Sequence, residues 1–144
     1  MIIKANEKNL PAAAALASAL WPYHAQQEME EALAPLLCDR EAAVFLKLEG
    51  DRTVGFAQCQ LRHDYVEGTH SSPVGYLEGI YVTPDCRHRG IAGELVQACE
   101  KWAWDLGCAE FASDCALTNQ ESLFFHQKLG FREAGRIICF TKQL

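Results

Sequence analysis

The chain has 144 residues, the usual size of one domain and too short for two ordinary ones. About half of them (49%) are apolar, which allows a sizeable core at this length. With 13 basic and 19 acidic residues the formal net charge is −6, so the electrostatic footprint of a nucleic-acid binder is missing and a cationic small molecule or basic peptide fits better.

In chain order, Met1 to Lys4 reads as a short first strand. Glu7 to Leu20, rich in Ala and Leu, predicts a helix that Trp21-Pro22-Tyr23-His24 ends. Ala25, Met29, Leu33 and Leu37 recur every four residues, so Ala25 to Leu37 predicts a second, amphipathic helix with Pro35 near its end. Ala42 to Leu48 and Thr53 to Arg62 read as a hairpin around Glu49-Gly50-Asp51. Asp64 to Pro73 is polar and reads as a loop. Val74 to Val82 returns to strand, with Glu78 inside an apolar and aromatic run, and Pro84 closes it.

Gly90 to Leu106 carries the strongest helical pattern, with Ile91, Leu95, Ala98, Trp102 and Leu106 on one face and Gly107 as the stop. Ala109 to Asp114 reads as a strand. Thr118-Asn119-Gln120-Glu121 reads as a capping box opening a helix to Leu129, stopped by Gly130. Phe131 to Ala134 and Ile137 to Lys142 read as closing strands. The order β-α-α-β-β-β-α-β-α-β-β predicts an α/β (α+β) chain, one domain over 1–144, with a mixed sheet and helices on its faces.

Seven cysteines stand at 38, 59, 86, 99, 108, 115 and 139. The number is odd, no pair has CxxC spacing, and no His cluster lies beside them, so neither a disulfide framework nor a metal site is expected. Free thiols acting as small hydrophobes suit a reducing cytosol. The start Met1-Ile2-Ile3-Lys4 lacks a signal-peptide pattern, and the apolar stretch from Ala12 to Trp21 is too short to span a bilayer. A cytoplasmic protein with no membrane partner is the expectation.

The segment that carries chemistry is Leu77-Glu78-Gly79-Ile80-Tyr81-Val82-Thr83-Pro84 followed by Arg87-His88-Arg89-Gly90-Ile91-Ala92. A strand stops, a basic turn follows, and a helix opens at a glycine. The first turn of a helix has free N–H groups and the positive end of the dipole, so Arg87 to Ala92 can cradle an anion with main chain. The turn matches neither GxxxxGK[ST] nor GxGxxG. Its glycine also fits a plain tight turn.

The pattern Arg-x-x-Gly-x-Ala after a strand ending Tyr-Val-x-Pro resembles the pyrophosphate motif of the GNAT acetyltransferase superfamily. His126-Gln127-Lys128-Leu129-Gly130-Phe131 resembles that family's Tyr-x-x-x-Gly-Phe ending, with His126 at the Tyr. The resemblance runs element by element over essentially the whole chain. Trp21-Pro22, His63-Asp64-Tyr65-Val66-x-Gly, Ser71-Ser72-Pro73-Val74, Leu77 to Val82 and Ala112-Ser113-Asp114 resemble the aminoglycoside 6′-N-acetyltransferases within it. The resemblance implies a mostly antiparallel GNAT-like sheet. It also implies direct attack of an amine on acetyl-coenzyme A, a cationic aminoglycoside partner and a homodimer.

It further implies roles. Arg87, His88, Arg89, Gly90, Ile91 and Ala92 would take the pyrophosphate. Ile80, Tyr81 and Val82 would pair with the pantetheine arm like an added strand, and Asn119 would touch it. A backbone N–H near Tyr81 or Val82 would serve the oxyanion. The attacking amine must lose a proton. Glu78 is the preferred base, with an ion pair to a surface cation as its plain alternative. Asp114 competes as base, or binds substrate ammonium groups, or caps a turn. His126 would protonate the thiolate, or only pack. Trp21, His24, Tyr65, Glu78 and Asp114 would line the substrate site, with Trp21 and Tyr65 equally readable as packing aromatics. An acyl-cysteine at Cys115 with His126 as base is a further route. Rival functions are acetylation of another small amine or peptide and a non-catalytic acyl-coenzyme A sensor.

Overall fold

The first helical segment begins where Asn6 can cap it. In the computed structural model, which describes residues 1–144, Asn6 Oδ1 accepts from the Lys8 amide at 2.9 Å. Asn9 Oδ1 accepts from the Asn6 amide at 3.1 Å. This cap holds a single 3-10 turn, Glu7–Asn9, and the α-helix proper (α1) runs Leu10–Leu20. The sequence predicts one helix from Glu7. The structure splits it because Pro11 has no N–H to give the Glu7 carbonyl. The second helix (α2) runs Gln26–Cys38 and continues through Pro35, held by burial of Met29 and Leu33.

Five strands form one sheet in the order β1-β2-β3-β4-β5. They are β1 Ile2–Lys4, β2 Ala42–Glu49, β3 Arg52–Arg62, β4 Val74–Val82 and β5 Phe111–Ser113. The first three pairings are antiparallel; β4 and β5 are parallel. Helix α3, Ile91–Asp105, makes that parallel crossover, and α4, Gln120–Lys128, follows β5. The expected mixed, mostly antiparallel sheet is what forms.

Each face of the sheet carries its own core. Under α3 lie Ala43, Val54, Ala57, Cys59, Leu77, Val82, Ile91, Leu95, Val96 and Cys99. Under α1 and α2 lie Ala13, Ala17, Met29, Leu33, Val44, Leu46 and Phe56. The buried residues of α3 are Ile91, Leu95, Val96, Cys99 and Ala103. Ala98 and Trp102 are only half-buried and Leu106 is exposed, so the apolar face is turned from the one the sequence suggests. Small side chains let α3 approach β4: a Cβ on Gly75 would lie 2.6 Å from that of Ala103.

The pairing of β3 with β4 slips once. Leu77 lies opposite Cys59 and Gly79 opposite Gln58, which leaves Glu78 as an extra residue. This is a β-bulge, and bulges re-aim side chains. Alternation changes phase across it: Leu77, Ile80 and Val82 all meet the α3 core, while Tyr81 meets the α1/α2 core. Gly79 turns toward α1. A Cβ there would stand 2.6 Å from Trp21 Cζ2 and 2.9 Å from Leu20 Cδ2, so only glycine fits under the indole.

Two sequence expectations are corrected. The predicted closing strands Phe131 to Ala134 and Ile137 to Lys142 do not form; no residue from 132 to 144 has a backbone hydrogen bond within the chain. A strand exists only through its ladder, and this segment hydrogen-bonds to no sheet edge. Helix α4 is capped by Asn119, whose Oδ1 accepts from the Ser122 amide at 3.0 Å, and not by Thr118.

Candidate active site

The turn between β4 and α3 leaves a row of donors unused. The Arg87 amide reaches back to the Pro84 carbonyl at 3.4 Å, and the Glu94 amide donates to the Gly90 carbonyl. Between them, the amides of residues 88 to 93 donate to no acceptor in the chain. Two residues in this turn are left-handed, His88 (φ 60°) and Gly90 (φ 81°). Gly90 is needed for that conformation and not for space, since a Cβ there would meet nothing within 4 Å. Six adjacent free N–H groups at the positive end of a 15-residue helix are chemically suited to receive an anion. The unpaired amides therefore run from residue 88 to 93, overlapping the expected Arg87 to Ala92 in all but its first residue.

The basic side chains of the turn are held by the protein itself. Arg87 Nε donates to the Val82 carbonyl at 2.9 Å, with its guanidinium 5.5 Å from the Tyr81 ring. Arg89 pairs with both carboxylate oxygens of Glu49. Arg52 grips Asp85 in the same way and holds that carboxyl well below the usual range.

Strand β5 pairs with β4 only from Gly75 to Leu77. Beyond Leu77 the outer edge of β4 has no strand partner, and the two strands separate at Glu78 and Asp114. Residues Ile80, Tyr81 and Val82 lie on this bare edge, which leads from the cradle to the carboxylates. An extended ligand arm can add there as a strand does.

At the head of the opening the polar groups are tightly connected. Arg62, the last residue of β3, clasps Glu78 with Nε to Oε1 at 3.0 Å and Nη2 to Oε2 at 2.8 Å. The same guanidinium lies 3.4 Å from the centroid of the Tyr76 ring. The Tyr76 hydroxyl donates to Asp114 Oδ2. Burial, and then the Asp114 carboxylate, push the Tyr76 phenol well above its usual range. Trp21, edge-on to Phe56 at 6.2 Å, closes the side over Gly79. The ion pair that was the plain alternative for Glu78 is present.

His126 reaches Ser113, the residue before Asp114 in the chain. Its Nδ1 lies 2.7 Å from the Ser122 carbonyl and its Nε2 2.8 Å from Ser113 Oγ. With Nδ1 donating to the carbonyl, Nε2 accepts from the serine; protonated, it donates there. Phe125 and Phe131 pack edge-on against the ring at 5.4 and 5.2 Å. The histidine thus packs and also keeps one nitrogen on a hydroxyl beside Asp114.

The remaining candidates are more scattered. Tyr65 is exposed and lines an open hollow with Leu61, Arg62, His63 and Asp64. His24 is exposed and faces Glu28 at 3.2 Å, and its polar partner is neither Glu78 nor Asp114. Asn119 spends its carbonyl oxygen on the α4 cap, leaving only its amide nitrogen for a ligand.

The model of the Acetyltransferase (GNAT) family matches residues 10–131. The chain belongs to the GNAT acetyltransferase family. An aminoglycoside N(6′)-acetyltransferase type 1 of Stenotrophomonas maltophilia is 43% identical over 99% of this chain and 93% of its own length. The solved structure of AAC(6′)-Iy with the bisubstrate analogue CoA-S-monomethyl-acetylneamine superposes with a TM-score of 0.96 at 38% identity, covering 100% of this chain and 98% of that one. The 6′-N-acetyltransferase AAC(6′)-Ih of Acinetobacter baumannii gives 0.91 at 39% identity, covering 100% and 98%.

Within this GNAT chain, sequence reasoning missed three site residues: Arg62, Tyr76 and Ser113. Arg62 was legible only as a strand end. Its place over Tyr76 follows from the β3–β4 register, in which Arg62 faces Val74 and Gln60 faces Tyr76. Ser113 was legible as a neighbour of Asp114, but its contact with His126 depends on how α4 docks.

Proposed function

We propose that the chain is an aminoglycoside 6′-N-acetyltransferase, a single domain over 1–144 that uses acetyl-coenzyme A. One observation carries the reading. The six-amide cradle and the bare edge of β4 lead to a paired-carboxylate, aromatic-walled opening, the combination a polycationic amine needs. The relatives that share this fold at 36–43% identity carry the same activity in their names.

The residues fit the co-substrate, because an unpaired amide row suits a pyrophosphate and an unpaired strand edge suits an amide-bearing arm. Acetyl-coenzyme A supplies the acetyl thioester. The amides of 88 to 93 bind its pyrophosphate, the edge at Ile80 to Val82 orients its arm, and the Asn119 amide nitrogen adds a donor. Glu78 takes the proton of the amine, through a water. Asp114, fixed by Tyr76, holds the substrate's ammonium charge. His126 delivers a proton to the leaving sulfur by way of Ser113. Trp21 and Tyr65 supply apolar walls.

Thiol release from acetyl-coenzyme A tests this. Neomycin carries a 6′-amine and paromomycin a 6′-hydroxyl. Release with neomycin and little with paromomycin is expected. Equal release would move the acetylated position, and none with either would remove the functional reading.

We read the setting as cytoplasmic, since all seven cysteines are free thiols. The chain is also proposed to act as a homodimer. The support is the C-terminal segment, where Ile137, Ile138, Phe140 and Leu144 stand exposed on backbone with no hydrogen bonds. Such a segment suits the sheet edge of a second copy. Sedimentation is expected to give twice the 16.0 kDa chain mass. The double change Ile138→Lys with Phe140→Lys is expected to halve it. A wild-type monomer at tens of micromolar would rule the dimer out.

A further inference from the structure

Arg62 has no part in the proposed acetyl transfer, yet it sits at the centre of the site. Its guanidinium holds both oxygens of Glu78 and stacks on Tyr76, whose hydroxyl is tied to Asp114. A carboxylate, an aromatic face and a second carboxylate nearby are the groups that recognise an ammonium. The protein's own cation fills that seat. We infer that Arg62 is a resident counter-ion which a cationic substrate must displace from Glu78, so that Arg62 sets the affinity for amines by competition. The inference rests on Glu78 being the carboxylate that meets the substrate amine.

The geometry makes displacement necessary. A fork-on-fork pair directs both oxygens of Glu78 at the guanidinium, and a clasped carboxylate is a poor acceptor for a proton from anything else. It also makes displacement easy. Arg62 is the terminal residue of β3, and its side chain is 40% exposed. The open hollow it shares with His63, Asp64 and Tyr65 gives the guanidinium somewhere to go, with a carboxylate on the wall. A partly exposed ion pair is a weak one, within reach of a substrate that brings several ammonium groups. Substrates of low charge would not dislodge it, so Arg62 selects for polycations.

The test pairs kinetics with a resonance. Arg62→Met keeps the stem and removes the charge. It is expected to lower KM for neomycin by roughly fivefold, the scale of a part-exposed pair, and to leave KM for acetyl-coenzyme A unchanged. In the wild-type protein the Arg62 Nε–H signal, assigned by its loss in Arg62→Met, is expected to be protected from exchange. Neomycin should abolish that protection, and so should spermine, a polycation outside the functional reading. A fall in kcat at constant KM, restored by Arg62→Lys, would overturn displacement and make Arg62 a clamp on Glu78. A protected signal that survives excess neomycin and excess spermine would overturn it too. If neomycin releases no thiol, the functional reading fails by itself, and the spermine titration still decides for or against displacement.

Discussion

Glu78→Gln is expected to lower kcat by about 10²- to 10⁴-fold, the usual worth of a general base, while acetyl-coenzyme A binds as before. Glutamine has the same length and keeps the extra residue of the bulge, so the strand register survives. On the proposed role of Glu78, what is lost is the acceptor for the amine's proton. A primary amine near neutral pH is mostly ammonium and has no lone pair to attack with, so the loss falls on turnover. KM for the amine should rise as well, because half of the carboxylate pair is gone. Acetyl-coenzyme A affinity is the control, since the amides of 88 to 93 are untouched. Steady-state kinetics with neomycin as the varied substrate, plus calorimetry of the cofactor, read both. Near-normal kcat would transfer the role of base to Asp114, the only other carboxylate shown in this network.

Phe56→Ala is expected to cost about 3–5 kcal/mol of stability, the range for emptying a large aromatic site. Phe56 is fully buried among Val44, Leu46, Leu33 and the alanines of α1. It is also the partner of Trp21. The cavity therefore opens beneath the indole that roofs Gly79, and residual folded protein should bind amines more weakly. Urea denaturation measures the first effect and KM for neomycin the second. A loss of stability below about 1 kcal/mol would mean the helices collapse into the space and that the core does not brace Trp21.

Parts of the fold set by local chemistry were legible in the sequence. The hairpin of β2 and β3 was readable because Glu49-Gly50-Asp51 is turn chemistry, and Gly50 is left-handed as such a turn requires. The body of α3 was readable from its period, although its buried face is defined by Val96, Cys99 and Ala103, which only packing against the sheet selects. Glu78 was legible as a charge in an apolar run. What it touches was not, because the bond to Arg62 spans 16 residues and depends on a register slip with no local signature. The Tyr76 to Asp114 contact spans 38 residues and exists only because α3 returns the chain parallel to β4. The closing strands were misread for the converse reason. Ile137, Ile138 and Phe140 have the right side chains, but a strand is made by its neighbour as much as by itself.

The bulge has a consequence for how this site can change over time. A strand counts in twos, and residue 78 is one beat too many. Everything before it keeps one count and everything after it the other. Its identity is free to vary, and with it the chemistry offered to the amine. Its presence is not: it is the extra residue, so removing it would leave Leu77 opposite Cys59 and Gly79 opposite Gln58 in an unbroken ladder, with no side chain re-aimed at the opening. Point substitutions can therefore retune this acetyltransferase at position 78, whereas a deletion there would heal the ladder and leave the site without that group.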